Sequence, residues 1–277
     1  MQRIDSHQHF WYYHPQKHAW IDDDMVVIRK DFMPGDLQPI LQQNNIDGCI
    51  AVEADQSEAE TEFLLSLQQQ HDFIKGIVGW VDLQEKNIQE RLAYYKGFAA
   101  VKGFRHVLQN REPEFMLQPG FVNGIAALGQ FDFTYDILIF PKHLAAAIEL
   151  VEQFPQQKFV IDHLAKPCIK AGLIDAWKKD MQIMAQFNNV YCKVSGMVTE
   201  ADHQNWQQPD FRPYLDTVVE AFGTKRIMFG SDWPVCLVAA EYAAMLKIVQ
   251  DYFTTFSITE QEDFFGNNAA RFYNLEK

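Results

Sequence analysis

Short runs of β-branched and aromatic residues alternate with stretches of helical spacing along the whole chain. The runs predict strands over 3–10, 47–54, 74–82, 101–108, 133–140, 158–164, 190–196 and 226–232. Between them the spacing predicts helices over 36–44, 58–70, 87–96, 121–130, 143–154, 174–187 and 212–222, and a last amphipathic helix over 239–254 follows the eighth strand. Most strands are apolar almost without interruption, as in Gly48-Cys49-Ile50-Ala51-Val52 and Lys158-Phe159-Val160-Ile161. That pattern belongs to parallel strands covered on both faces. Eight strand–helix pairs in 277 residues predict an α/β fold, a closed (β/α)8 TIM barrel, as one domain over 1–277. No GxGxxG or P-loop follows a strand, which sets an open nucleotide-binding sheet aside.

Two connections are long, roughly 11–35 after strand 1 and 197–211 after strand 7. Both follow the C-terminal ends of strands, the face on which barrel active sites are built. The first is rich in aromatic residues and histidine. The acidic run Glu58–Glu62 reads as a solvated first helical turn, where negative charge suits the helix dipole.

Composition narrows the function classes. A formal net charge of −13 argues against a nucleic-acid or anionic-membrane partner, both of which need basic patches. Cys49, Cys168, Cys192 and Cys236 form no CxxC pair, and three of them lie in or beside apolar runs, as buried reduced thiols do. No signal peptide fits before the first strand, and no apolar run approaches the ~20 residues of a membrane span. A cytoplasmic protein acting on a small molecule is expected, with self-association left open.

The sharpest local signal is Asp5-Ser6-His7-Gln8-His9. Alternation in a strand turns His7 and His9 to one face, about 6.7 Å apart along the chain. Two imidazoles so placed converge on one metal ion or one substrate oxygen. His163 closes strand 6 and Asp232 closes strand 8; polar groups at these strand ends read as catalytic. Strands 8 and 1 are neighbours in a closed barrel, so all four side chains face a common centre. Glu53, Trp80, Arg105, His106 and Lys193 also lie near strand ends or on strands and suit a substrate pocket, as does Trp11 beyond strand 1. Alternation sends Arg105 and His106 to opposite faces. Arg105 is a candidate for stabilising a developing oxyanion; an ion pair with a neighbouring carboxylate is the alternative.

His7-Gln8-His9 at strand 1 with Asp232 at strand 8 resembles the amidohydrolase superfamily. The longer stretches Arg29-Lys30-Asp31-Phe32, Gly79-Trp80-Val81-Asp82-Leu83, Gly103-Phe104-Arg105-His106-Val107, Asp162-His163-Leu164-Ala165-Lys166-Pro167, Cys192-Lys193-Val194-Ser195-Gly196 and Phe229-Gly230-Ser231-Asp232-Trp233-Pro234 resemble its amidohydrolase-2 branch. Within that branch the similarity is to sugar lactonases of the fuconolactonase and rhamnonolactonase group. The resemblance implies hydrolysis of an aldonolactone, with Asp232 as general base and carbonyl polarisation by His163, Arg105 or a bound Zn2+. Two-metal members carry a modified lysine on strand 4 and histidines on strands 5 and 6. Here Lys102 lies on strand 4, but strand 5 has no histidine and His143 follows only after Pro141. The expectation is therefore one zinc ion or none, with His7, His9 and Asp232 as ligands and Glu53 or His163 as a further one. Competing readings are a metal-dependent decarboxylase of the superfamily, a pyrone-dicarboxylate lactonase, which calls for more arginines than Arg105 at strand ends, and a catalytically silent sugar-binding barrel.

Overall fold

The computed structural model describes residues 2–275. Eight apolar runs form strands β1 Ile4–Gln8, β2 Gly48–Val52, β3 Ile74–Gly79, β4 Val101–Val107, β5 Thr134–Leu138, β6 Phe159–Ile161, β7 Val190–Val194 and β8 Ile227–Phe229. They pair in parallel in sequence order. The ring closes just beyond β8: His9 N donates to Trp233 O at 2.7 Å, Asp232 N to His7 O at 2.8 Å, and Ser6 Oγ to Phe229 O at 2.6 Å. The expected (β/α)8 barrel is therefore the fold.

Helices α1 Pro34–Gln43, α2 Glu58–Gln68, α3 Ile88–Lys96, α4 Pro119–Gln130, α5 Leu144–Glu152, α6 Asp175–Met184, α7 Gln208–Phe222 and α8 Tyr242–Phe253 form the outer layer. Each lies where helical spacing predicts one. The seventh begins four residues early because Gln207 and Asp210 close its first turn, Gln207 N donating to Asp210 Oδ2 at 2.7 Å. Among the described residues no helix is long and apolar enough to cross a membrane.

Two features depart from the sequence reading. The chain does not end its structure at α8: α9 Ile258–Glu262, a π turn at Asp263–Asn267 and α10 Asn268–Phe272 follow. Ala269, Phe272 and Tyr273 of this tail pack with Ile4, Ile50, Val52, Val78, Val160 and Met228, filling the barrel interior from its N-terminal end. The acidic run on α2 is also not wholly solvated. Ser57 caps the helix, accepting from Glu60 N at 3.3 Å, but Glu58 pairs with Arg91. Glu60 is buried and accepts from Ala54 N at 3.2 Å; burial pushes its carboxyl up to about 8.

The long first connection is tied down. Trp11 and Phe32 exchange backbone hydrogen bonds at 3.0 and 2.9 Å, and Trp11 Nε1 donates to Lys30 O at 2.9 Å. Its ends thus meet beside the C-terminal mouth.

Candidate active site at the C-terminal mouth

A register irregularity in β1 aims the histidines. Asp5 pairs with Cys49 but Gln8 pairs with Ala51, so β1 carries one residue more than β2 between those points. Such a bulge re-aims side chains next to a site. Before it Asp5 faces outward, its Oδ1 accepting from His7 N at 3.2 Å and Ser231 N at 2.8 Å, its Oδ2 from Tyr242 OH at 3.1 Å. After it His7 and His9 both face inward, as alternation between those two positions predicts.

His163 and Asp232 reach the centre from turns past their strands. His163, Leu164, Ala165 and Lys166 have φ of 53, 54, 57 and 51°, and Asp232 has φ 58°. Four consecutive left-handed residues, none of them glycine, cost about 1–2 kcal/mol each. Strain of this kind persists where surrounding contacts hold it, and it gathers at functional sites. Here Lys166 N donates to His163 O at 2.7 Å and Trp177 Nε1 to Leu164 O at 2.7 Å. Gly196, at φ 62°, leaves the room the imidazole needs, since a Cβ there would lie 2.7 Å from His163 Nδ1. Gly230 does the same for His7, where a Cβ would lie 2.7 Å from His7 Cβ and 3.1 Å from Ser195 Cβ. Gly230→Ala is therefore expected to destabilise the fold by about 1–3 kcal/mol and to lower turnover by displacing His7. Urea unfolding beside a kinetic assay tests this; wild-type values in both would refute the fit.

The side chains form two tiers. In the upper tier His9 Nε2 lies 3.2 Å from His7 Nε2 and 3.4 Å from Asp232 Oδ1, and the same oxygen lies 3.9 Å from His7 Nε2 and 3.8 Å from His163 Nε2. His9 Nδ1 donates to Val52 O at 2.8 Å, which turns Nε2 towards the centre as the ring nitrogen placed to serve as a ligand atom. His163 Nδ1 is 2.8 Å from Ser195 Oγ. Burial pushes His7 and His163 well below the usual imidazole range, so both are neutral. Burial alone would raise Asp232, but His163 and His9 beside it hold its carboxyl below the ordinary value, and it is ionised.

The lower tier is a buried charge network. Arg105 Nε meets Glu53 Oε1 at 2.8 Å and its Nη1 meets Asp162 Oδ2 at 3.1 Å. Lys193 Nζ lies 2.5 Å from Asp136 Oδ2 and 3.0 Å from Asp162 Oδ1, and Tyr273 OH donates to Asp136 Oδ2 at 2.8 Å. Burial pushes Glu53 up to about 7 despite Arg105, and Asp136 up to about 6 despite Lys193. Burial acts upward on Asp162 too, yet Lys193 and Arg105 together keep it below its ordinary value.

The structure thus brings together His7, His9, His163, Asp232, Arg105, Glu53 and Lys193. It does not gather the aromatic candidates. His106 faces away from Arg105, packed on Phe121 and Trp80 at ring distances of 5.5 and 5.4 Å. Trp11 packs within its own loop, beside His18, Trp20 and Phe32, and touches the cluster only at its edge, its ring 6.4 Å from that of His9. Lys102 points to the opposite end of the barrel, its Nζ donating to Asn274 O at 3.2 Å, and His143 Nε2 faces Arg111 O at 3.0 Å. The sequence reading missed Asp136, Asp162, Ser195 and Lys166. Lys166 pairs with Glu200 at 2.7 Å, and its charge acts on His7, His163 and Asp232.

Two donor groups among the described residues converge closely enough for an ion: His7–His9–Asp232 and His7–Asp162–His163. Only the first fits. A tetrahedral ion with metal–nitrogen bonds of about 2.05 Å sets donors about 3.3 Å apart; two of the three separations there are close to this, at 3.2 and 3.4 Å, and the third, His7 Nε2 to Asp232 Oδ1, is wider at 3.9 Å. In the second, Asp162 is already held by Lys193 and Arg105.

Such a mouth, two β1 imidazoles against a β8 carboxylate above a closed parallel barrel, defines a hydrolase-type (β/α)8 enzyme with room for one metal ion. Residues 4–275 match the amidohydrolase family, and the chain belongs to it. It is 36% identical over 285 residues to an L-fucono-1,5-lactonase of Burkholderia multivorans, spanning 99% of this chain and 96% of that one. An L-fucono-1,5-lactonase of Burkholderia ambifaria is 32% identical, with 99% and 96% covered. A crystal structure of a Burkholderia multivorans amidohydrolase with bound zinc superposes with a TM-score of 0.96 at 36% identity, covering 100% of both chains.

Proposed function

We propose that this protein opens a sugar-derived aldonolactone, of the L-fuconolactone or L-rhamnonolactone kind, to its aldonic acid. The observation that carries the reading is Asp232: an ionised carboxylate, buried between His9 and His163 at the barrel mouth. End-to-end similarity to fuconolactonases supports the substrate class.

In this reading Asp232 takes a proton from water as the oxygen attacks the lactone carbonyl. Ser195 Oγ, donating to His163 Nδ1, leaves the imidazole proton on Nε2, where it meets the developing oxyanion. When the tetrahedral intermediate collapses, the ring C–O bond breaks and Asp232 returns its proton to the departing ring oxygen. Lys166, partly exposed, offers its charge to the carboxylate that forms. His7, His9 and Asp232 are the ligands we assign to a single Zn2+, which when bound supplies Lewis-acid polarisation of the carbonyl. Glu53 and Arg105 support the upper tier from below.

A pH-indicator screen over aldono-1,4- and 1,5-lactones, with metal content measured on the same sample, tests the proposal. Acid release from L-fucono-1,5-lactone is expected; failure to open any member of either ring size would overturn it.

A further inference from the structure

His7 is flanked by two cations that approach its two ring nitrogens. Lys193 Nζ lies 3.1 Å from Nδ1, and Arg105 Nη1 lies 3.2 Å from Nε2. A neutral imidazole has one lone pair, so it accepts from one of the two and not both. A metal ion at His7, His9 and Asp232 needs that lone pair on Nε2, the atom Arg105 addresses. Guanidinium keeps its proton throughout the accessible pH range. It is also fixed in place: Nε is held by Glu53 Oε1, Nη1 by Asp162 Oδ2 and Nη2 by the Glu53 carbonyl. Arg105 is buried, as is His7, so the guanidinium charge is screened far less than a surface one. The donor set offers an incoming dication one carboxylate, Asp232, and that carboxylate already feels Lys166.

Resting on the assignment of His7, His9 and Asp232 as metal ligands, we propose that Arg105 is a resident cation that competes with the metal ion for His7 Nε2. The site then holds its ion loosely, and the centre keeps a positive charge beside His7 whether or not an ion is bound. The arginine that the sequence offers as an oxyanion stabiliser acts instead on metal affinity, through the ligand it touches.

The test is titration of Zn2+ and Co2+ into metal-stripped protein, reading the dissociation constant and the cobalt absorption bands. Arg105→Met/Glu53→Gln removes the cation with its main partner and so leaves no orphaned charge at that pair; Asp162 keeps Lys193. This variant is expected to bind either metal at least about tenfold more tightly, whereas Glu53→Gln alone does not tighten binding. His9→Ala is expected to abolish the cobalt bands in both backgrounds. Arg105→Lys serves if the double variant does not fold: its ammonium stays with Glu53 but falls short of His7, and about threefold tighter binding is expected from the greater charge separation. Equal affinity in wild type and the charge variants, with binding still lost in His9→Ala, overturns the competition and leaves the ligand assignment standing. Binding that survives His9→Ala overturns the ligand assignment and the competition with it.

Discussion

Replacing Asp232 with asparagine is expected to lower aldonolactone turnover by about three orders of magnitude, within the span that loss of a general base produces, and to leave the melting temperature within a few degrees of wild type. The local backbone makes this separation possible. Asp232 adopts φ 58°, a conformation in which asparagine and aspartate are the side chains most readily found after glycine. Its N–H still donates to His7 O at 2.8 Å and its carbonyl still accepts from Cys236 N at 2.9 Å, so the seam between β8 and β1 is retained. Asparagine also keeps the volume and a hydrogen-bonding oxygen between His9 and His163. What it loses is the negative charge and the capacity to take a proton. Alanine would be a poorer probe, since it adds left-handed backbone strain to the lost carboxylate. Kinetics of the asparagine variant, paired with a thermal melt, decide the matter. A folded variant with more than a tenth of wild-type kcat would remove Asp232 from the role of base.

The barrel was legible because its signal is repeated eight times and each repeat is long enough to show its period. Glu53, Arg105 and Lys193 could be named because charged groups interrupt or close apolar strands. The backbone between strand and site was not legible. Strand 6 is predicted to 164 but ends at Ile161, and strand 8 is predicted to 232 but ends at Phe229. His163 and Asp232 therefore sit in left-handed turns, where period-2 alternation no longer says which way a side chain points. This is why His163 was found and Asp162 was not: the two neighbours serve one site although a continuing strand would have sent them apart. The bulge in β1 had no composition signal either, yet it changes the face of every residue after Ser6. Asp136 is different, because a signal was available. An acid in the middle of β5 and a base in the middle of β7, each flanked by apolar residues, are two charges that cannot be buried alone and that cancel if brought together. Reading strands for opposite charges at equal depth would have joined them.

Lys193→Met is expected to remove about 3–5 kcal/mol of stability, the usual consequence of deleting one partner from a buried charge pair. A loss of that size is a large fraction of the roughly 5–15 kcal/mol that keeps a domain folded. Lys193 has no exposed surface and meets Asp136 Oδ2 at 2.5 Å, Asp162 Oδ1 at 3.0 Å and His7 Nδ1 at 3.1 Å. Its removal leaves two carboxylates in the barrel interior. Asp162 retains Arg105 at 3.1 Å, whereas Asp136 retains, among the described residues, only the Tyr273 hydroxyl as a side-chain hydrogen-bond partner. Asp136 is thus the group left uncompensated, and two consequences separate this account from simple loss of packing. First, Lys193→Met/Asp136→Asn should be more stable than Lys193→Met alone, because the orphaned charge is gone. Second, the pH response has a defined sign. Burial already raises Asp136 to about 6 with Lys193 present, and loss of the cation raises it further. A carboxyl raised in the folded state binds more protons there than in the unfolded chain, so stability falls as pH rises through that window. The single variant should therefore regain stability as the pH is lowered from 8 towards 6, and the double variant should lack that part of the response. Urea unfolding of the wild type and both variants at pH 6 and 8 measures each term. A Lys193→Met protein that loses under 1 kcal/mol, or that is no less stable than the double variant, would show that the lower tier carries no net charge balance on which His7 depends.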